Sequence, residues 1–155
     1  MQPEARCNLE SFAEEEWDAS LEFDGQVAWK HRDVGDGDYD GPVLVGTIDG
    51  GGIGRQVYCS SGPVITQKTT GEGPGMTTGL YLFADGTVRR LSTTEACRSH
   101  SFPEPLIRFL QSAEIPESVI YRIVRNSIPV NTMKAVLTAV LSAVDPSQVP
   151  SPTAQ

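Results

Sequence analysis

The sequence predicts an α+β domain. An antiparallel sheet or small barrel of about six strands spans roughly residues 20–92, with a short N-terminal helix before it and three C-terminal helices packed on it. Three observations carry this. Residues 21–30 alternate strictly, with Leu21, Phe23, Val27 and Trp29 on one side and Glu22, Asp24, Gln26 and Lys30 on the other. That is the period of a half-buried strand. The pair Asp85-Gly86 lies between the apolar runs 80–84 and 87–91, the signature of a tight hairpin whose type I′ turn needs positive φ at both central residues. From Phe102 onward the apolar period changes from two to that of a helix.

Taken in order, Ser11-Phe12-Ala13-Glu14 has the form of a capping box, and Leu9, Phe12, Ala13 and Trp17 share one helical face. A helix over 9–18 is expected, with Glu14, Glu15 and Glu16 near its positive end. After an acidic loop at 33–41 come strands at 43–48 and 55–60, joined into a second hairpin by the glycine-rich residues 49–54. Residues 63–70, rich in β-branched side chains, read as an edge strand. Past the central hairpin, Leu106, Ile107, Phe109 and Leu110 form a first helix opened by Pro103 and Pro105. Pro116 opens a second, with Val119, Ile120, Ile123 and Val124 on one face, and Pro129 ends it. Asn131 or Thr132 caps a third, where Met133, Val136, Leu137, Val140, Leu141 and Val144 make a continuous stripe. The stripe reads as core-facing; any part the sheet leaves uncovered would be a dimer or partner surface. Residues 1–144 are expected to form one domain and 145–155 a disordered Pro/Ser tail.

At 155 residues, 39% hydrophobic and 21% charged, the chain has the composition of a folded globular protein. No apolar run approaches the ~20 residues of a membrane helix, and residues 1–17 lack the basic and apolar regions of a signal peptide. The expectation is a cytoplasmic protein, in a bacterium or in the host cytosol if the chain is viral. Cys7, Cys59 and Cys97 form no CxxC pair and fit reduced thiols. The net charge of −8 is unevenly spread: residues 1–50 hold thirteen acids against three bases, and residues 51–155 hold seven against nine. That balance argues against direct nucleic-acid binding, which needs clustered Lys and Arg. It favours a protein partner with a basic surface, approached by electrostatic steering.

The run Asp36-Gly37-Asp38-Tyr39-Asp40-Gly41 resembles the start of an EF-hand-type calcium loop, in which alternate carboxylates converge on one ion. Asp36, Asp38 and Asp40 are therefore the calcium candidates, although Thr47 stands where the bidentate Glu of that loop would be. The competing reading is an acidic turn, and no cofactor is otherwise expected. Cys97-Arg98-Ser99-His100 offers a C-x-x-H pair, with Cys59 and His31 distant in sequence. Two local ligands fall short of a zinc site, and adjacency alone does not make a thiolate–imidazole nucleophile. The glycine-rich segments 50–55 and 71–75 have no helix after them to make a phosphate loop.

These features point to a small, acidic, non-catalytic protein-binding module that occludes a basic site, as toxin-neutralising immunity proteins and viral anti-defence inhibitors do. Its contacts would be Glu14, Glu15, Glu16, Asp18, Asp36, Asp38 and Asp40. The alternatives are an accessory structural subunit of a viral or phage particle, and a small enzyme or calcium-binding module. The C-terminal helices are the candidate surface for a homo-oligomer.

Overall fold

Five short strands form one mixed sheet in the order β1-β2-β3-β4-β5: β1 is Ala28–Trp29, β2 Leu44–Thr47, β3 Gln56–Cys59, β4 Leu80–Leu82 and β5 Val88–Arg89. Four helices follow: α1 Thr93–Ser99, α2 Glu104–Ser112, α3 Glu117–Arg125 and α4 Val130–Ala143. The structure is a computed structural model that describes residues 9–30, 39–52, 54–66, 73–75 and 77–143. The expected tail at 145–155 lies outside these.

The sheet is open, not a barrel, and not wholly antiparallel. β1–β2, β2–β3 and β4–β5 pair antiparallel, but β3 and β4 run parallel, with Val57 opposite Leu80 and Cys59 opposite Leu82. A parallel pair needs a crossover rather than a tight turn, and residues 60–79 supply it. The expected edge strand at 63–70 is not formed by its described residues. Residues 63–66 are not strand, and Val64 and Ile65 instead pack toward Tyr81; residues 67–70 lie outside the described set. The two glycine-rich segments meet, since Gly75 N–H donates to Gly54 O at 2.8 Å.

The alternating segment 21–30 keeps its alternation in burial but forms little ladder. Leu21, Phe23, Val27 and Trp29 are covered to varying degrees, whereas Glu22, Asp24, Gln26 and Lys30 are exposed. The chain bends at Gly25, against whose backbone the Phe23 ring lies so closely that a Cβ there would clash. Before the bend, Phe23 N–H donates to Val88 O (2.8 Å) and Arg90 N–H to Leu21 O (3.0 Å), around a single Glu22–Arg89 bridge. After it, Lys30 N–H donates to Val45 O (2.8 Å). One segment thus reaches both edges of the sheet and drapes Phe23, Val27 and Trp29 over Val45, Val57, Leu80 and Val88.

The central hairpin forms where expected, with a different turn. Gly86 N–H donates to Phe83 O and Phe83 N–H to Thr87 O, both at 2.9 Å, closing a three-residue loop. Gly86 has a φ of +87°, and Asp85 is not in the positive-φ region. Asp85 acts through its side chain, accepting from Thr87 N–H at 2.8 Å. This is the loop that ends in a left-handed glycine bulge rather than a type I′ turn.

At the N-terminus, two 3-10 turns, Leu9–Ser11 and Ala19–Leu21, replace the expected helix over 9–18. The Glu14 N–H that a helix would use internally donates instead to Glu95 Oε1 at 2.9 Å. Leu9, Phe12 and Ala13 cover the sheet face that carries Tyr81 and Phe83. With that face occupied and the other draped by 21–30, the helices take a separate site. Ala96, Cys97, Ile107, Leu110, Ile120, Tyr121 and Val124 form a second core between α1, α2 and α3. It is tied to the sheet region where Tyr121 Oη donates to Leu91 O at 2.8 Å.

Candidate interaction surface

α2 and α3 are ordinary amphipathic helices. Each starts after a proline, Pro103 or Pro116, carries a glutamate in its first turn, and buries one stripe: Ile107 and Leu110 on α2, and Ile120, Tyr121 and Val124 on α3. α4 differs. Seven of its fourteen residues are strong helix formers, among them Met133, Ala135, Leu137, Ala139 and Leu141. Lys134 is its only charged residue. Helices apolar on most sides are normally enclosed by protein, yet none of its residues is buried. It begins at Val130, so Asn131 and Thr132 lie inside it rather than capping it. Its first turn is tethered where Val130 N–H donates to His100 O (2.9 Å). The described part of the stripe expected to face the core, Met133 to Leu141, thus faces solvent, because both sheet faces and the α1–α3 core are already filled; Val144 lies outside the described residues.

Among the described residues, the exposed large apolar side chains all lie in this half of the chain. They are Leu106 and Phe109 on α2, Ile123 on α3, Ile128 in the connection, and Met133, Val136, Leu137, Val140 and Leu141 on α4. Phe109 is 61% and Leu141 72% exposed, far more than a core residue would be. Monomeric proteins rarely expose contiguous apolar patches above a few hundred Å².

The acidic candidates are divided. Glu14 is half-buried and its carboxylate accepts from Ser92 Oγ, so it is part of the fold. Asp18 caps the second 3-10 turn by accepting from Ser20 N–H at 2.8 Å, and that bond holds its carboxyl below the usual value. Asp18 is nonetheless exposed, as are Glu15, Glu16 and Asp40. Asp36 and Asp38 lie outside the described residues, among which no group of three or more His, Cys, Asp or Glu is placed to hold a metal.

Cys97 sits in the α1–α3 core, 1% exposed, and burial pushes its thiol up to about 11, the opposite of what a nucleophile needs. His100 ends α1 beside Ser99 Oγ, and burial holds its imidazole below the ordinary value. Cys59 is buried in the sheet core; Cys7 and His31 lie outside the described residues. A cleft of about 340 Å³ opens beside Ser20, Glu22, Phe23, Pro74 and Arg90. Its charged groups are already engaged, Arg90 with Ser20 O and Glu22 with Trp17 Nε1–H.

Sequence reasoning passed over α1 and the Arg89–Glu95 ion pair it makes possible. Ser92-Thr93-Thr94-Glu95 is a capping box, with the Ser92 side chain accepting from Glu95 N–H and the Glu95 carboxylate from Ser92 N–H. Its S-x-x-E spacing was there to be found. No helix among the described residues is long and apolar enough to cross a membrane. Comparison with protein-family models finds no match, and comparison with curated proteins finds no relative.

Proposed function

We propose that this chain is a non-catalytic protein-binding module that docks through its C-terminal helix. The observation that supports this is α4, a nearly charge-free helix with no buried residue. Exposed apolar surface on this scale costs solubility unless a partner covers it. The acidic half has a secondary role. Exposed Glu15, Glu16 and Asp40 keep the module soluble. Of the two settings that suit such a module, an inhibitor that occludes a basic site and an accessory subunit of a larger particle, the apolar helix favours the subunit. Occlusion of a basic site calls for carboxylates at the centre of the contact, and one of the candidates, Glu14, is half-buried and bonded to Ser92 within the fold.

The test is retention of proteins from the native host's lysate by the chain and by its Leu137→Asp variant, at low and high salt. Retention that survives high salt and is lost in the variant supports docking through α4. Retention that salt abolishes and the variant leaves intact would instead support acidic occlusion. No difference between chain and variant at either salt would overturn the helix reading.

A further inference from the structure

We infer that the partner of α4 is a second copy of this chain, in a two-fold dimer built on the pairing of the two α4 helices. The inference rests on the protein-binding reading above and names its partner.

The apolar residues of α4 have the spacing of a helix pair. Val130, Met133, Leu137 and Val140 follow one another at intervals of three, four and three. That is the seam of a coiled-coil pair, in which identical helices present matching knobs and holes. The neighbouring positions are also apolar, at Val136 and Leu141, so the contact is wider than a two-helix seam. That width is needed. Fourteen residues make a helix of only about 21 Å, and a seam of two heptads is marginal alone. The exposed Leu106, Phe109, Ile123 and Ile128 supply further surface on the same half.

Charge selects the same face. Two copies meeting through residues 1–50 would each bring thirteen acids against three bases, whereas residues 103–143 hold three acids and four bases. Self-association through the C-terminal half therefore carries almost no repulsion and sets the acidic halves apart. Charged contacts across an interface fix register and exclude wrong partners. α4 offers only Lys134 for that purpose. A symmetric pairing with itself needs none. A membrane is the poorer occupant: α4 is shorter than the ~30 Å hydrocarbon core, and it lacks the charged face of a helix that lies in the interface.

The test is the molar mass of the purified full chain in solution, by sedimentation or light scattering, at about 1 and about 100 µM. The expected mass at the higher concentration is twice the 16.7 kDa of one chain. Leu137→Asp, in the seam, should return the single-chain mass at both concentrations, while Thr138→Asp, off the seam, should remain dimeric. Should Leu137→Asp fail to fold, the thermal midpoint of the unaltered chain decides, because a dimer's midpoint rises with concentration and a monomer's does not. A single-chain mass at about 100 µM with a concentration-independent midpoint, or a Leu137→Asp variant as dimeric as its parent, would overturn the inference. Co-flotation of a monomeric chain with anionic phospholipid vesicles would overturn it in favour of a lipid surface. The two readings fail separately: a monomeric chain whose lysate retention is still lost on Leu137→Asp removes the second copy and leaves the protein-binding module standing.

Discussion

Arg89 and Glu95 are joined, wholly shielded from solvent, by two parallel hydrogen bonds of 2.8 Å, Nη1 to Oε2 and Nη2 to Oε1. The guanidinium carbon also lies 3.9 Å from the centroid of the Phe83 ring and 4.4 Å from the Trp17 ring. Glu95 Oε1 accepts from Glu14 N–H and Oε2 from Ser92 N–H. One ion pair therefore fastens the last strand, the first helix and the N-terminal segment. Removing one partner leaves a buried charge uncompensated, which costs roughly 3–5 kcal/mol. Glu95→Gln should destabilise by about that amount in urea unfolding at pH 7, and Arg89→Met combined with it should recover part of the loss, since no charge is then stranded. Additive costs in the double variant would show that the two residues act independently.

The same pair sets a dependence on acid. Desolvation pushes the Glu95 carboxyl up, but the Arg89 hydrogen bonds, the Glu14 and Ser92 N–H groups and the Arg89 charge outweigh it and hold the group below its ordinary value of 4.5. A carboxylate depressed in the folded state contributes stability that is fully present above its unfolded value and is lost as pH falls through the folded one. The unfolding free energy should therefore decline below about pH 4.5 more steeply in the parent than in Glu95→Gln. Parallel declines across that range would show that other carboxylates govern acid unfolding.

How much of this was legible follows from the range of each interaction. The Asp85-Gly86 hairpin and the helices behind Pro103 and Pro116 depend on neighbours in sequence, and they appear where local pattern puts them. The alternation of 21–30 read the burial correctly and the ladder incorrectly, because the chain bends at Gly25, where the Phe23 ring lies against the backbone. The parallel pairing of β3 with β4 depends on where residues 60–79 travel, which no local period encodes. α4 is the instructive case. Its apolar stripe was plain in the sequence, but whether a stripe meets a core depends on what else has already filled that core.

The buried thiols give a chemical prediction. In a Cys7→Ser background, neither Cys59 nor Cys97 should react with an aromatic disulfide reagent at pH 8 until the protein unfolds, and both should then react. Cys97 is doubly protected, by the α1–α3 core and by a thiol pushed up to about 11, so the thiolate that would attack is scarce as well as inaccessible. One equivalent of fast reaction in the native state would show an open path to a thiol and return the nucleophile reading to consideration.

Two glycines separate the cost of backbone conformation from the cost of crowding. Gly79 and Gly86 have nearly the same left-handed φ, +89° and +87°. Alanine at either position bears the left-handed penalty, about 1–2 kcal/mol. At Gly86 a Cβ would meet nothing within 4 Å, whereas at Gly79 it would lie 2.8 Å from Ile65 Cδ1 and 3.2 Å from the Tyr81 hydroxyl. That hydroxyl donates to Thr78 O and accepts from Ile65 N–H, so it is not free to move aside. Gly86→Ala should therefore lower stability by the conformational term alone, and Gly86→Asn by less, since asparagine enters this region more readily. Gly79→Ala should cost at least about 1 kcal/mol more than Gly86→Ala, in the range of overpacked sites. Urea midpoints at an unchanged slope would measure the difference. Equal losses at the two positions would mean that Ile65 can withdraw without disturbing Tyr81, and that the crossover is held less tightly to the sheet than these contacts require.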